Sequence, residues 1–135
     1  MGEEETTRDW IEAVKLFKER LTQIIQVEAL IVHGSLSRSG PTPTSDIDVI
    51  VISDSFKDMP FCIRMEILEN AKVGKVQALG YTYSEIESMS RKTNPLILGA
   101  LVEGIHILSS ERVSRLREKV KKTYIRVGRV WKPIQ

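Results

Sequence analysis

Two short apolar runs, Ala29-Leu30-Ile31-Val32 and Ile47-Asp48-Val49-Ile50-Val51-Ile52, are rich in β-branched residues and too short for helices. They predict two buried strands. Upstream, Trp10, Val14, Phe17, Leu21 and Ile24 recur at spacings of four and three after Thr6-x-x-Asp9, which has the form of a capping box. This pattern predicts an amphipathic helix from about Arg8 to Gln26. Ser53 to Asp58 reads as a polar turn. Asp58 and Pro60 then open a helix with Phe61, Met65 and Leu68 on its inner stripe, ended in the region of Gly74. Lys75 to Thr82 reads as a third strand, and Ser84-x-x-Glu87 opens a short helix containing Ile86 and Met89. Asn94-Pro95 starts another helix, Leu96 to Glu103, which Gly104 terminates. Ile105 to Leu108 makes a fourth strand. Ser109 or Ser110 caps a last helix with Val113, Leu116, Val120, Tyr124 and Val127 along one side, and Gly128 stops it, leaving Arg129 to Gln135 as a tail. The fold class expected is α/β, a small mixed sheet of about four strands flanked by helices with a basic C-terminal helix. The whole chain, 1–135, reads as one domain, with its core at about 8–108 and the helix and tail at 109–135.

Composition adds little to that picture and charge adds more. A chain of 135 residues, 41% hydrophobic and 28% charged, is large enough to bury one core and has the make-up of an ordinary globular domain. No apolar run approaches transmembrane length and the acidic start is unlike a signal segment, so no membrane role and a cytoplasmic location are expected. Cys62 has no second cysteine to pair with and reads as a small core residue within a helix. The net charge is only +2, but Glu111 to Gln135 holds nine Lys/Arg against two Glu. That segment therefore carries +7 and the remainder −5, either a surface for RNA or an acidic partner or simply a solvated helix face. Val127, Val130, Trp131 and Ile134 crowd apolar surface into the tail, which either folds back or joins a homodimeric or heteromeric interface.

Chemistry concentrates between the first two strands. If the polar loop His33 to Ser45 folds back, the strands run antiparallel, and Gly34-Ser35 meets Asp46 and Asp48 at one end of the sheet. Strand side chains alternate, so the two carboxylates point to one face, roughly 6–7 Å apart along the chain. Unpaired like charges on an apolar strand are costly, and a divalent cation would relieve them; oxygen ligands suit Mg²⁺ or Mn²⁺. Gly34 permits close backbone approach to a phosphate, and Ser35 can cap a following helix turn whose N–H groups attract anions. Arg38, in the same loop, offers a guanidinium shaped for phosphate, although a solvated arginine is an equal reading. Together these groups suit phosphoryl or nucleotidyl transfer. The bland alternative is a capped turn followed by an edge strand with Asp48 in solvent. His33 either lines this site or makes an ordinary strand-end hydrogen bond, and His106 reads as structural or surface-facing.

Gly34-Ser35, ten residues, then Asp46-x-Asp48 resembles the signature of the DNA polymerase beta-like nucleotidyltransferase superfamily. Over residues 27–108 the chain is similar to the minimal nucleotidyltransferases, small prokaryotic proteins often paired with a HEPN-domain partner, and Ser37-Arg38 fits the step after their Gly-Ser. The resemblance implies a nucleotidyltransferase fold and phosphate binding by Gly34, Ser35 and Arg38. It also implies catalysis and metal binding by Asp46 and Asp48, with Mg²⁺ or Mn²⁺ and ATP or another nucleoside triphosphate. By the same resemblance the acceptor is a hydroxyl on a protein, a HEPN-type tyrosine silenced by the transfer, as in a toxin–antitoxin pair. The family's third carboxylate aligns with Gln77, which supplies no charge. Glu85 and Glu87 fall beyond the strand. A second reading is therefore a degenerate nucleotide-binding module that restrains its partner by contact. A third and weaker one is an RNA-binding accessory protein using the basic last helix.

Overall fold

The computed structural model describes the backbone of residues 3–34 and 46–134, and the side chains of 10–34 and 46–134. Helix α1 (Glu3–Thr22) leads to strand β1 (Ala29–His33), and β2 (Ile47–Ile52) follows the loop. Beyond a 3-10 turn (Asp54–Phe56) come α2 (Phe61–Ala71), β3 (Val76–Tyr81), α3 (Tyr83–Arg91), α4 (Pro95–Glu103), β4 (Ile105–Ser109) and α5 (Glu111–Thr123). A hairpin of β5 (Tyr124–Val127) and β6 (Val130–Pro133) closes the chain. Four strands form one sheet in the order β3-β2-β1-β4. β1 is antiparallel to both neighbours, whereas β2 and β3 are parallel, so the sheet is mixed as the sequence predicts.

Alternation along β1 and β2 gives the sheet two buried faces. Leu30, Val32, Val49 and Val51 meet Val14, Phe17 and Leu21 of α1 and Leu68 of α2. Ala29, Ile31, Ile50 and Ile52 meet Ile86 of α3, Ile97 and Leu101 of α4, and Val113 and Leu116 of α5. Such two-sided burial explains why these strands read as continuous apolar runs. No helix among the described residues is long and apolar enough to cross a membrane.

Several local expectations are corrected. Helix α1 begins at Glu3, so Thr6-x-x-Asp9 lies within it, and it ends at Thr22, which leaves Ile24 outside and exposed. The turn after β2 is not simply polar: Phe56 is fully buried, and Ser53 caps it by accepting from the Ser55 N–H. Pro60, not Asp58, stands at the N-cap of α2; the inward positions of that helix are Arg64, Leu68 and Ala71, while Phe61 is exposed. Cys62 is exposed on this helix rather than in the core. The capping box of α3 is Thr82 with Glu85, two residues before the predicted Ser84 and Glu87. Helix α5 stops at Thr123, because Tyr124 turns to extended backbone, and Gly128 at φ +65° makes the hairpin turn rather than a helix end. The tail is thus ordered: Trp131 is buried, while Ile125, Val127, Val130 and Ile134 are about half exposed.

Candidate active site

Antiparallel pairing places His33 directly beside Asp48, and parallel pairing places Gln77 on Asp48's other side. Paired strand residues project to the same face, so His33, Asp48 and Gln77 form one row across three strands. Asp46, just before β2, is exposed and shares that face by alternation. The row lies at the sheet end where β1 leaves and β2 and β3 begin. Inward along the same face come Ile31 and Ile50 of the core, so the site is a polar rim on an apolar floor.

Gly34 follows β1 with φ +82°, a backbone that side-chain-bearing residues rarely adopt. A Cβ built on it would lie 3.1 Å from Oδ2 of Asp48. The glycine therefore lets its own backbone lie against the carboxylate. Ser35 and Arg38 fall outside the described residues, and so do their expected phosphate contacts.

None of the ion pairs among the described residues involves Asp46 or Asp48. His33 is half-buried, and burial pulls its pKa below the ordinary histidine value, an effect that the charge of Asp48 partly opposes. The ring is consequently neutral at pH 7. No group of three or more His, Cys, Asp or Glu among the described residues gathers to hold a metal. Two hard carboxylates on one face are nonetheless the donors that would suit a Mg²⁺ or Mn²⁺, with Asp46 and Asp48 as the residues that would hold it. Glu85 is excluded as a substitute carboxylate. It stands at the far end of β3, bound to Arg64 at 2.6 Å. His106 is structural, its Nε2 3.0 Å from the carbonyl of Leu101.

The chain matches the family described as "Nucleotidyltransferase domain" over residues 14–124. It belongs to the nucleotidyltransferase domain family. Among solved structures, this domain is similar to a proposed nucleotidyltransferase from Sulfolobus solfataricus, with 17% identity over 82% of this chain and 89% of that one, at a TM-score of 0.61. Looser likenesses are a toxin–antitoxin with AMP-PNP (17% identity, 80% of each chain, TM-score 0.47) and a mutant of the toxin–antitoxin MntA–HpeT (14%, 90% of this chain and 85% of that one, 0.48). No curated protein matches. The expected nucleotidyltransferase fold, a mixed α/β sheet flanked by helices, is the fold observed.

A cleft that adjoins this candidate site has no signal in the sequence. It measures about 110 Å³ and runs from His33 and Gly34 past α4 to Glu103 and Arg126. Arg126 and Glu103 stand 23 positions apart on elements whose packing no local pattern predicts.

Proposed function

We propose that this domain transfers a nucleoside monophosphate from a nucleoside triphosphate, ATP or another, to an acceptor hydroxyl. The observation that carries the reading is the placement of Gly34 against Asp48, with Asp46 on the same face. Gly34, suited to close approach by a phosphate, thereby lies against one of two carboxylates that have no ion-pair partner among the described residues. Backbone N–H groups of the Gly34-Ser35 turn, with Arg38, hold the phosphates. Asp46 and Asp48 hold the accompanying Mg²⁺ or Mn²⁺, which supplies charge neutralisation at the phosphates. The acceptor oxygen bonds to the α-phosphorus as the α–β phosphoanhydride bond breaks. Pyrophosphate leaves with the electron pair, and the hydroxyl proton passes to solvent. The acceptor best suited to the resemblance is a hydroxyl on a HEPN-type partner. The half-exposed apolar positions Ile125, Val127 and Val130 give a partner, or a second copy of this chain, a surface to meet.

The second reading, a module that binds nucleotide and restrains a partner without transfer, is favoured by Gln77. It pairs with Asp48 across the parallel strands, and by the resemblance that position carries the family's third carboxylate. Incubating the protein and a HEPN partner with α-labelled ATP and Mg²⁺ tests both readings. Label appearing on the partner, and lost in Asp48→Asn, supports transfer. Nucleotide binding without label supports the module. Absence of nucleotide binding by the wild type overturns both. RNA retention that falls steeply with salt would favour the basic α5 as a nucleic-acid surface instead.

A further inference from the structure

The cleft beside Gly34 has a distinct end away from the carboxylates. There Arg126, carried by the C-terminal hairpin, donates from Nε to Glu103 Oε2 at 2.7 Å and from Nη2 to Oε1 at 2.8 Å. Nη1 donates to the carbonyl of Gly128 at 3.3 Å. The guanidinium carbon sits 5.0 Å from the ring centroid of buried Trp131, its cross-strand partner. The side chain is thus fixed on three sides and still lines the cleft. It also packs over Gly99 of α4, where a built Cβ would come within 3.3 Å of Nη2.

We infer that this end of the cleft takes the nucleoside half of the triphosphate, with Arg126 donating to its polar edge. The inference rests on the nucleotide reading above. Three observations support it. First, the cleft starts at Gly34, so a molecule whose phosphates lie on that turn has its nucleoside within reach of the cleft. Second, the wall along α4 is apolar and small, with Gly99 and Leu96, as a flat ring needs. At about 110 Å³ the cleft is well below the ~300–1,000 Å³ of pockets that enclose a whole ligand, so it suits one ring system. Third, a guanidinium already paired with a carboxylate carries no net charge into the site but keeps N–H groups beyond those bound to Glu103 and Gly128. Such a group is poorly suited to attracting phosphates. It is well suited to a carbonyl or ring nitrogen of a base, or to a ribose hydroxyl. The hairpin therefore joins the substrate site as well as closing the core.

Calorimetry with two ligands separates the halves of the substrate: Mg²⁺–ATP, and Mg²⁺–tripolyphosphate, which has the phosphates without the nucleoside. Arg126→Met keeps the stem over Trp131 and should weaken ATP roughly five- to tenfold, the worth of one or two hydrogen bonds. It should leave tripolyphosphate unchanged. Gly99→Val fills the cleft beside Nη2, to which the added Cβ would lie within 3.3 Å, and should do the same. It also decides the matter if near-UV dichroism shows that Arg126→Met has loosened Trp131. Equal ATP affinity in Gly99→Val and wild type would overturn the inference while leaving the nucleotide reading intact. Equal weakening of ATP and tripolyphosphate by Gly99→Val would overturn it too, by placing the cleft at the phosphates. Failure of wild type to bind either ligand would defeat the nucleotide reading first, and this inference with it.

Discussion

The two ends of the sheet treat acidic side chains in opposite ways. Where β1 begins and β2 and β3 finish, each acid of the cluster has a cation. Arg112 binds Glu28 at 2.7 Å and Asp54 at 2.8 Å and lies 4.1 Å over the Tyr83 ring. Glu28 also accepts from the Ser110 hydroxyl. Arg64 holds Glu85 and donates to the carbonyls of Met59 and Gly80. The paired arginines keep the carboxyls of Glu28, Asp54 and Glu85 below their ordinary pKa values. At the opposite end, Asp46 and Asp48 share a face with no ion-pair partner among the described residues, beside a neutral His33 and an uncharged Gln77. One end spends its charges on joining loops and helices to the sheet. The other carries two carboxylates without an ion-pair partner among the described residues, which the proposed function assigns to a ligand. Acid content alone would not distinguish them; the placement of arginines among the described residues does.

The sharpest way to break this contrast is to neutralise the unpaired end. Asp46→Asn/Asp48→Asn should lower transfer by roughly two orders of magnitude or more, since electrostatic metal assistance is worth several kcal/mol. Mg²⁺-dependent ATP binding in calorimetry should disappear. Thermal stability should hold or rise, because two like charges are removed from one strand face. Full ATP binding by the double variant would remove these aspartates from the site.

The same operation at the paired end should do the reverse. Arg64 is buried, and Arg64→Met takes its donors from the carbonyls of Met59 and Gly80 and leaves the Glu85 carboxylate held by the Thr82 N–H alone of its described donors. A stability loss of about 2–3 kcal/mol is expected, below the full cost of a broken buried pair because Glu85 is partly exposed. ATP affinity, measured below the variant's melting temperature, should match wild type. A variant that unfolds as wild type does in urea, but binds ATP poorly, would mean the two ends are coupled.

The sequence reveals these two ends unequally, for physical reasons. Strands β1 and β2 and the Gly34, Asp46, Asp48 constellation are local: each rests on a run or a spacing within a few residues. The pairing of Gln77 with Asp48 came from alignment to a family pattern, and the register agrees with it. The roles given to these residues rest on that resemblance and on the tests above. The far-end network is invisible in one dimension, because Arg112 and Glu28 are 84 positions apart. Periodicity also misjudged α2. Arg64 takes a core position there because two carbonyls and a carboxylate satisfy its guanidinium, and hydrophobicity scores cannot register that. Val120, Tyr124 and Val127 keep helical spacing, so the pattern predicts helix where β5 stands and a plain tail where β6 stands. Tyr124 at φ −130° and ψ 151° breaks it.

Adding charge to the unpaired end sharpens the contrast. Gln77→Asp would put a third carboxylate beside Asp48 on an exposed position of β3. Transfer should rise roughly tenfold, because an added anionic ligand favours the metal that activates the acceptor hydroxyl. ATP affinity should change much less. Without metal, the variant should melt below wild type from cross-strand repulsion, and Mg²⁺ should restore part of the loss. Brisk transfer by wild type with no gain in the variant would show that two carboxylates suffice.

The smallest effect lies in the acid dependence of the paired end. Glu28 and Asp54 have folded pKa values below their ordinary 4.5 and 3.8, with the hydrogen bonds from Arg112 as the leading cause. A carboxyl whose pKa is lowered by folding contributes stability that is complete above its unfolded pKa. That contribution drains away as pH falls through the folded value. Wild type should therefore begin to lose this increment as pH falls below about 5 and go on losing it as pH falls through the lowered folded values. Arg112→Ala never has it, so wild type should lead the variant at pH 7 and the gap should close on acidification. Arg112 and Asp54 are largely open to water, which screens the pair, so the gap at pH 7 should be about 1 kcal/mol. Urea unfolding of both proteins at pH 7 and pH 3 measures it. A gap no smaller at pH 3 than at pH 7 would mean that Arg112 stabilises through its packing over Tyr83 rather than through its charge. The contrast between the two ends would then be one of shape, not of ion pairing.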